Sequence, residues 1–202
     1  IGVVSAMTVP PLMQNHQRKS YVTQLHKTYN IISQATLQYI NDRNALNLKE
    51  AGISSLDAVD AWAKKYFKIV KDCGTDGSDC FAVGEYKKMD GTAMPIFTRK
   101  DARYYVLADG TAVAFIYQNN GIQVNLDING KSGPNVVGRD TFPMMIYNDG
   151  TVDDSNAEQT PPPYTDEQRD ETFNSYCNNG SDTSTWWGCT GKIIGDGWEM
   201  TY

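Results

Sequence analysis

The sequence contains only two histidines, His16 and His26, which limits the catalytic chemistry available to it. On one helix, residues ten apart lie about 15 Å apart along the axis and roughly 80° apart around it. The two imidazoles therefore cannot share a metal ion or build a hydrolytic triad between them. We expect both histidines at the surface or its boundary, and since no nucleophile–base pair is visible, we expect no enzymatic activity.

The sequence also lacks any run of roughly 18 apolar residues, the length that a membrane-spanning helix needs. It has no stripe of basic residues, its net charge is −6, and acidic residues are concentrated between Asp149 and Glu171. Such a chain repels phosphate backbones, so nucleic-acid binding is not expected as its primary role. The glycines of Gly188 to Lys192 are too close together for a phosphate-binding P-loop.

None of the four cysteines lies in a CxxC pair, the spacing of zinc and thioredoxin-like redox sites. They form two local pairs, Cys73 with Cys80 and Cys177 with Cys189, which bracket polar, glycine-rich loops. Two disulfides are favoured, each contributing roughly 2–3 kcal/mol in the chain-entropy model, and they indicate a compartment outside the cytoplasm. The alternative is four free thiols in a cytosolic protein.

The opening of the chain, residues 1–13, carries no charge, and the polar and basic residues 14–19 follow at once. This pattern is typical of the end of a membrane segment at a polar boundary. The chain begins with Ile1 rather than Met, so we expect that an upstream segment was cleaved or left out. A buried core strand or a frayed terminus is the alternative interpretation of these residues.

Two helices are predicted from apolar periodicity. Residues 12–41 predict one long helix, with Pro10 and Pro11 expected to kink or break any helix arriving from upstream. Residues 56–71 predict a second helix, capped by Ser54 or Ser55. The apolar face of the long helix consists of Val22, Leu25, Tyr29, Ile32, Thr36 and Tyr39.

From residue 102 onward, short β-rich runs alternate with Asp-Gly or Asn-Gly pairs, a strong hairpin signal. Strands are predicted at 103–107, 112–117, 122–128 and 142–147, with strand-like segments at 192–194 and 198–202. Residues 149–171 are predicted to be a surface loop. The fold class is therefore α+β, an antiparallel meander with one face covered by the first helix and the other face exposed. We divide it into a helix at 1–43 and a globular head at 44–202.

The opening IGVVSAMTVPPLMQN (residues 1–15), followed by YVTQLHKTY (21–29), resembles the mature N-terminal helix of type IV pilins and type II secretion pseudopilins. In that family, prepilin peptidase cuts before a residue that is then methylated, and a glutamate follows at the fifth position. On this alignment both precede Ile1, so neither role falls on a residue of this sequence. The stretch LDINGKSGPNVVGRDTF (126–142) is similar to one in many prepilin-like proteins.

The resemblance implies a pilin-like architecture, in which Cys177 and Cys189 take the place of the C-terminal disulfide. It also implies a non-enzymatic structural subunit of a type IV pilus-like or type II secretion filament. Its partners would be copies of itself or other pilin-like subunits, prepilin peptidase and the assembly machinery. The subunit would be held in the inner membrane by its N-terminal helix, with the head in the periplasm or outside. After assembly it would lie in a periplasmic or extracellular filament.

Some secretion pseudopilins bind calcium in a loop, and Asp127, Asn129, Asn135 and Asp140 supply oxygen donors within one segment. The EF-hand order is not matched, because Lys131 occupies the third ligand position and no glutamate closes the loop. A simple hairpin turn is therefore favoured over a calcium site. No other cofactor is expected.

A second acidic group, Asp149, Asp153 and Asp154, is expected to be solvated. Trp186 and Trp187, adjacent inside a disulfide loop, are a candidate exposed contact or glycan surface. Trp198 is expected to be a packed strand residue. These features support an alternative function, a secreted glycan- or calcium-binding module without catalytic activity.

Overall fold

The computed structural model describes residues 2–156, 160–181 and 183–202, with side chains from Gln14 onward. Its first helix, α1, runs from Gly2 to Asp42. The side chains of residues 1–13, on which the membrane-segment interpretation rests, lie outside the described residues. The helical backbone continues through Pro10 and Pro11, so the predicted break is absent, since the proline φ is itself compatible with a helix. No helix in the described part is long and apolar enough to cross a membrane.

From Val22 onward, one face of α1 packs on the head. Thr28 Oγ1 lies 3.4 Å from Thr111 Oγ1, and the Tyr29 hydroxyl donates to the carbonyl of Val152 at 3.0 Å. The spacing of three and four residues predicted this face correctly. The buried residues are Val22, Leu25, Thr28, Ile32, Ala35, Thr36, Tyr39 and Ile40.

Two short helices follow, α2 (Leu48–Ala51) and α3 (Leu56–Tyr66). The Ser55 hydroxyl caps α3 by accepting the N–H of Ala58 at 3.2 Å. The prediction that this helix reaches residue 71 is wrong. Phe67 is extended, and the chain enters the sheet at Ile69, which lies opposite Leu107. Val70, which lies within the range predicted for this helix, is 64% exposed.

The sheet is a six-stranded antiparallel meander whose spatial order follows the chain. Helix α3 packs against one of its faces through Trp62, whose ring lies 5.1 Å from that of Phe115. In the central strands, consecutive residues are buried, so both faces are covered, not one as predicted. The strands are β1 (Ile69–Gly74), β2 (Arg103–Leu107), β3 (Ala112–Gln118), β4 (Gly121–Asp127), β5 (Thr141–Tyr147) and β6 (Val152–Asp153).

The C-terminal part differs most from the prediction. The region 149–171 contains β6 and helix α4 (Asp166–Thr172), which leads into a π-helical turn at Phe173–Cys177. Residues 192–194 lie in helix α5 (Cys189–Gly195), not in a strand. Residues 198–202 form no strand either. Helix α5 packs on β5, where the Thr190 hydroxyl donates to the carbonyl of Pro143 at 2.6 Å.

Candidate functional site

The connection between β4 and β5 brings together the oxygen donors singled out in the sequence. Asp127 is the last residue of β4 and lies opposite Thr141, the first residue of β5. Asp140 precedes Thr141 and accepts, through its backbone carbonyl, the N–H of Ile128 at 2.9 Å. The antiparallel pairing therefore places the two aspartates at the same end of the hairpin.

Both carboxylates are fully buried and act as acceptors. Asp140 accepts the backbone N–H groups of Asn135 at 2.9 Å and Val136 at 2.7 Å, which closes the loop around it. Asp127 accepts the hydroxyl of Tyr86 at 2.9 Å and the N–H of Asn129 at 3.1 Å. Tyr86 comes from the irregular segment between β1 and β2, and no local sequence pattern marks it as a partner of this loop.

The two asparagines have unsatisfied oxygen atoms. Asn129 donates its amide to the carbonyl of Gly133 at 3.2 Å, and Asn135 donates to a Glu85 carboxylate oxygen at 3.4 Å. The Oδ1 atoms of Asn129 and Asn135 are buried and have no hydrogen-bond partner among the described residues. A buried acceptor without a donor is costly, and such atoms often mark a place where water or an ion binds.

Burial and mutual repulsion disfavour the charged forms of the aspartates. Burial raises the pKa of Asp127 to about 8, and the nearby Asp140 carboxylate acts in the same direction. Burial also raises the pKa of Asp140, although hydrogen bonds from Val136, Asn135 and Asn129 oppose the shift. Over the described ranges, neither carboxylate forms an ion pair with a basic side chain. Lys131 donates to the carbonyl of Ser78 instead.

The donor types fit a calcium ion. Carboxylate and amide oxygens are its preferred ligands, and the two unpartnered amide oxygens are of this kind. Among the described residues there is no group of three or more His, Cys, Asp or Glu side chains that could hold a metal. A cation here would therefore rely on the two buried carboxylates together with Asn129 and Asn135.

The second acidic group is not solvated as predicted. Asp149 is exposed, but Asp153 and Asp154 are buried. Arg169 donates to both carboxylate oxygens of Asp153 at 2.8 Å each. The side chain of Asp154 accepts the backbone N–H groups of Gly188 at 2.9 Å and Gly191 at 2.8 Å. The acidic run therefore attaches the C-terminal segment to the head, which the sequence did not reveal.

The tryptophans also differ from expectation. Trp186 is buried and lies with its ring 6.0 Å from that of Phe97, so the two adjacent tryptophans do not form an exposed pair. Trp187 is only partly exposed. Trp198 is not in a strand: its ring stacks on His26 with centroids 3.9 Å apart. His26 therefore lies at the boundary between helix and tail, whereas His16 is exposed.

Both predicted disulfides are present, Cys73–Cys80 and Cys177–Cys189. The second is buried, and the loop that carries Asp140 packs on it: a Cβ atom added at Gly138 would lie 3.1 and 3.2 Å from its two sulfur atoms. The hydroxyl of Tyr202 donates to the carbonyl of Gly138 at 3.0 Å. The candidate cation loop is thus held between the sheet and the C-terminal segment.

No protein-family model matches the chain, and no match was found among curated proteins or solved structures.

Proposed function

We propose that this protein is a non-enzymatic structural subunit of a bacterial type IV pilus-like or type II secretion filament. The observation that carries the proposal is the contrast along α1. Four consecutive residues, Gln14 to Gln17, are exposed, and at 100° per residue they point to every side of the helix, so no side of α1 is buried there. From Val22 onward the same helix is buried against the head.

A helix of this kind serves two purposes in a filament subunit. Its head-bound part fixes the orientation of the rod relative to the head, and we expect the uncharged residues 1–13 to be available for lipid and later for neighbouring helices. The two disulfides suit a head that works outside the cytoplasm. Inner-membrane anchoring before assembly, processing by prepilin peptidase and contact with other pilin-like subunits belong to the same proposal.

The test is to express the gene with its natural upstream codons, together with prepilin peptidase. We expect membrane association and a peptidase-dependent decrease in mass, measured by mass spectrometry of the intact protein. Coexpression with an inactive peptidase is the control and should leave the precursor uncleaved. A signal peptide with a small-residue cleavage site upstream of Ile1 would overturn the proposal.

A second candidate function, calcium binding, is favoured by the buried, unpaired carboxylates and the two unsatisfied amide oxygens near β4 and β5. Calorimetric titration with calcium should show saturable binding that is lost in Asp127→Asn and Asp140→Asn. The matched control is Asp149→Asn, at an exposed aspartate that accepts only the N–H of Thr151. An absence of saturable heat in the unsubstituted protein would exclude this function. Since Trp186 is buried, we do not extend the proposal to glycan binding.

A further inference from the structure

Two arginines from distant parts of the chain share one surface cavity. Arg18 lies on α1, and Arg139 lies on the loop between β4 and β5. The cavity between them has a volume of about 350 Å³. Gln14, Gln17, Arg18 and Tyr21 line one side of it, and Pro134 and Arg139 belong to the other.

The charges of these two arginines are not neutralised within the described ranges. Of the six arginines in the sequence, Arg99, Arg103 and Arg169 form ion pairs with aspartates. A fourth, Arg43, lies over the Tyr39 ring and donates to the carbonyl of Ala51. The remaining two have no carboxylate within ion-pair distance in the described part of the chain. In a protein with a net charge of −6, two unpaired arginines that line one cavity are a local concentration of positive charge, opposed at Tyr21 by the Asp140 carboxylate.

One donor atom of Arg18 is also unsatisfied. The Nε atom of Arg18 is buried and has no hydrogen-bond partner among the described residues. Both arginines are close enough to Tyr202 to act on its hydroxyl: burial raises the pKa of Tyr202, and both positive charges oppose that shift. Both positive charges therefore act on the same tyrosine, beside the cavity that the two arginines line.

Two elements of the fold carry the residues that line the cavity. Gln14, Gln17, Arg18 and Tyr21 are spaced by three and four residues, so they lie on one face of α1. On the other side, the backbone N–H of Arg139 donates to the carbonyl of Val136 at 2.9 Å, within the loop that Asp140 closes. The cavity therefore lies where α1 meets this loop.

The chemistry of the cavity suits a tetrahedral oxyanion. Guanidinium groups present several N–H donors in a planar fork that matches the oxygen atoms of a phosphate, and glutamine amides can add neutral donors. A phosphate in the cavity would neutralise two positive charges at once.

The position of the cavity suggests where such a phosphate comes from. Arg18 is five residues beyond Met13, the end of the uncharged stretch, which corresponds to about 7.5 Å along a helix. If α1 enters the membrane as proposed above, the cavity lies at the level of the lipid headgroups. Arginines at that level interact favourably with anionic lipids.

We propose that Arg18 and Arg139 bind the phosphate of an anionic phospholipid headgroup while the subunit is held in the membrane. This inference rests on the membrane anchoring in the proposed function. It assigns a ligand class to a cavity and orients the head relative to the bilayer, which anchoring by α1 alone would not do.

The test uses the 202-residue chain and cosedimentation with vesicles of phosphatidylglycerol mixed with phosphatidylcholine, against vesicles of phosphatidylcholine alone. Arg18→Gln and Arg139→Gln should each weaken binding to the anionic vesicles about fivefold, and the double variant about 25-fold. The matched control is Lys68→Gln, which removes one charge at an exposed position outside the cavity and should leave binding unchanged. Equal binding by the double variant, or an equal loss in Lys68→Gln, would overturn the inference.

A second measurement distinguishes a lipid from a free anion. The Nε–H resonances of both arginines are followed by NMR during titration with inorganic phosphate or with a short-chain phosphatidylglycerol. Saturation at a much lower concentration of the lipid supports the inference. Saturation by inorganic phosphate at the same concentration, without vesicle binding, would overturn it and mark an adventitious ion only.

The failure of this inference can be told apart from failure of the proposed function. In the gene with its natural upstream codons, Arg139→Gln should leave cleavage by prepilin peptidase intact. Normal cleavage without any arginine-dependent lipid binding would overturn the lipid site alone. Absence of cleavage in the unsubstituted protein would overturn the proposed function.

Discussion

Two pairs of buried aspartates in this protein have very different surroundings. Asp153 is paired with Arg169, which contacts both of its carboxylate oxygens, and backbone N–H groups from the C-terminal segment point at Asp154. Asp127 and Asp140 accept a tyrosine hydroxyl, backbone N–H groups and the Asn129 side chain, all of them neutral donors. The first arrangement therefore contains a cation, whereas the described part of the second does not.

The difference separates a structural contact from a candidate binding site. Burying a carboxylate is costly unless it is paired, protonated or bound to a cation. The ion pair of Asp153 with Arg169 needs nothing from outside and joins α4 to the sheet. The pair at Asp127 and Asp140 needs a proton or a cation, so its state should depend on pH and on calcium.

The largest effect on stability is expected from breaking the ion pair between Arg169 and Asp153. Arg169→Met should lower the free energy of unfolding by about 3–5 kcal/mol, because it leaves the Asp153 carboxylate buried without its cation. The measurement is urea unfolding followed by circular dichroism. Arg99→Met is the matched control, because Arg99 and Asp101 form an exposed pair whose loss should cost less than about 1 kcal/mol. Equal losses of stability in the two variants would show that the buried pair contributes no more than the exposed pair.

The second-largest effect is expected from the disulfide Cys177–Cys189, which packs on Gly138 in the loop that carries Asp140. Replacing Cys177 and Cys189 with alanine should lower the free energy of unfolding by about 3 kcal/mol. Because Gly138 packs on these sulfur atoms, the change should also weaken calcium binding. Replacement of Cys73 and Cys80, whose loop contacts residues 128–140 through the bond from Lys131 to the carbonyl of Ser78, is the comparison and should weaken calcium binding less. Unchanged calcium affinity in both variants would separate the cation loop from the disulfide.

Asp127, which has no basic partner among the described residues, should affect how the free energy of unfolding depends on pH. Asp127 keeps its proton in the folded state up to a pKa of about 8, whereas the unfolded chain releases it near the ordinary value of about 4. Over that window the folded state binds more protons, so the free energy of unfolding should decrease as pH rises. The decrease should be smaller in Asp127→Asn, as measured by urea unfolding at a series of pH values.

Part of the slope should remain in that variant, because burial also raises the pKa of Asp154, to about 7. Asp149→Asn, at an exposed position, serves as the control and should retain the full slope. An Asp127→Asn protein with an unchanged slope would show that Asp127 is ionised in the folded state.

The smallest effect tests how Arg169 is positioned. Thr165 caps α4 in a capping box with Gln168, one residue before Arg169. Thr165→Ala should lower the free energy of unfolding by about 1 kcal/mol, and Thr165→Ser should retain most of the stability because the capping oxygen remains. Similar losses in both variants would show that the cap does not help to position Arg169.

The sequence alone determined the elements that depend on residues close together in the chain. The face of α1 follows from apolar spacing, and the central strands follow from the turns between them. Gly110, Gly121 and Gly150 all have positive φ, which glycine adopts without strain and most residues do not. The oxygen donors between β4 and β5 were also recognisable, because they lie within one short segment.

Tertiary structure decided everything that depends on partners distant in the chain. Residues 69–71 continue a helix-like apolar pattern but pair with β2, and residues 192–194 look like a strand but pack on β5 as part of a helix. Asp153 and Asp154 look like solvated acids until Arg169 and the backbone of Gly188 and Gly191 close around them. The convergence of Arg18 with Arg139 likewise has no local signal. Periodicity reports on neighbours a few residues away, whereas burial and charge pairing are set by which segments meet in space.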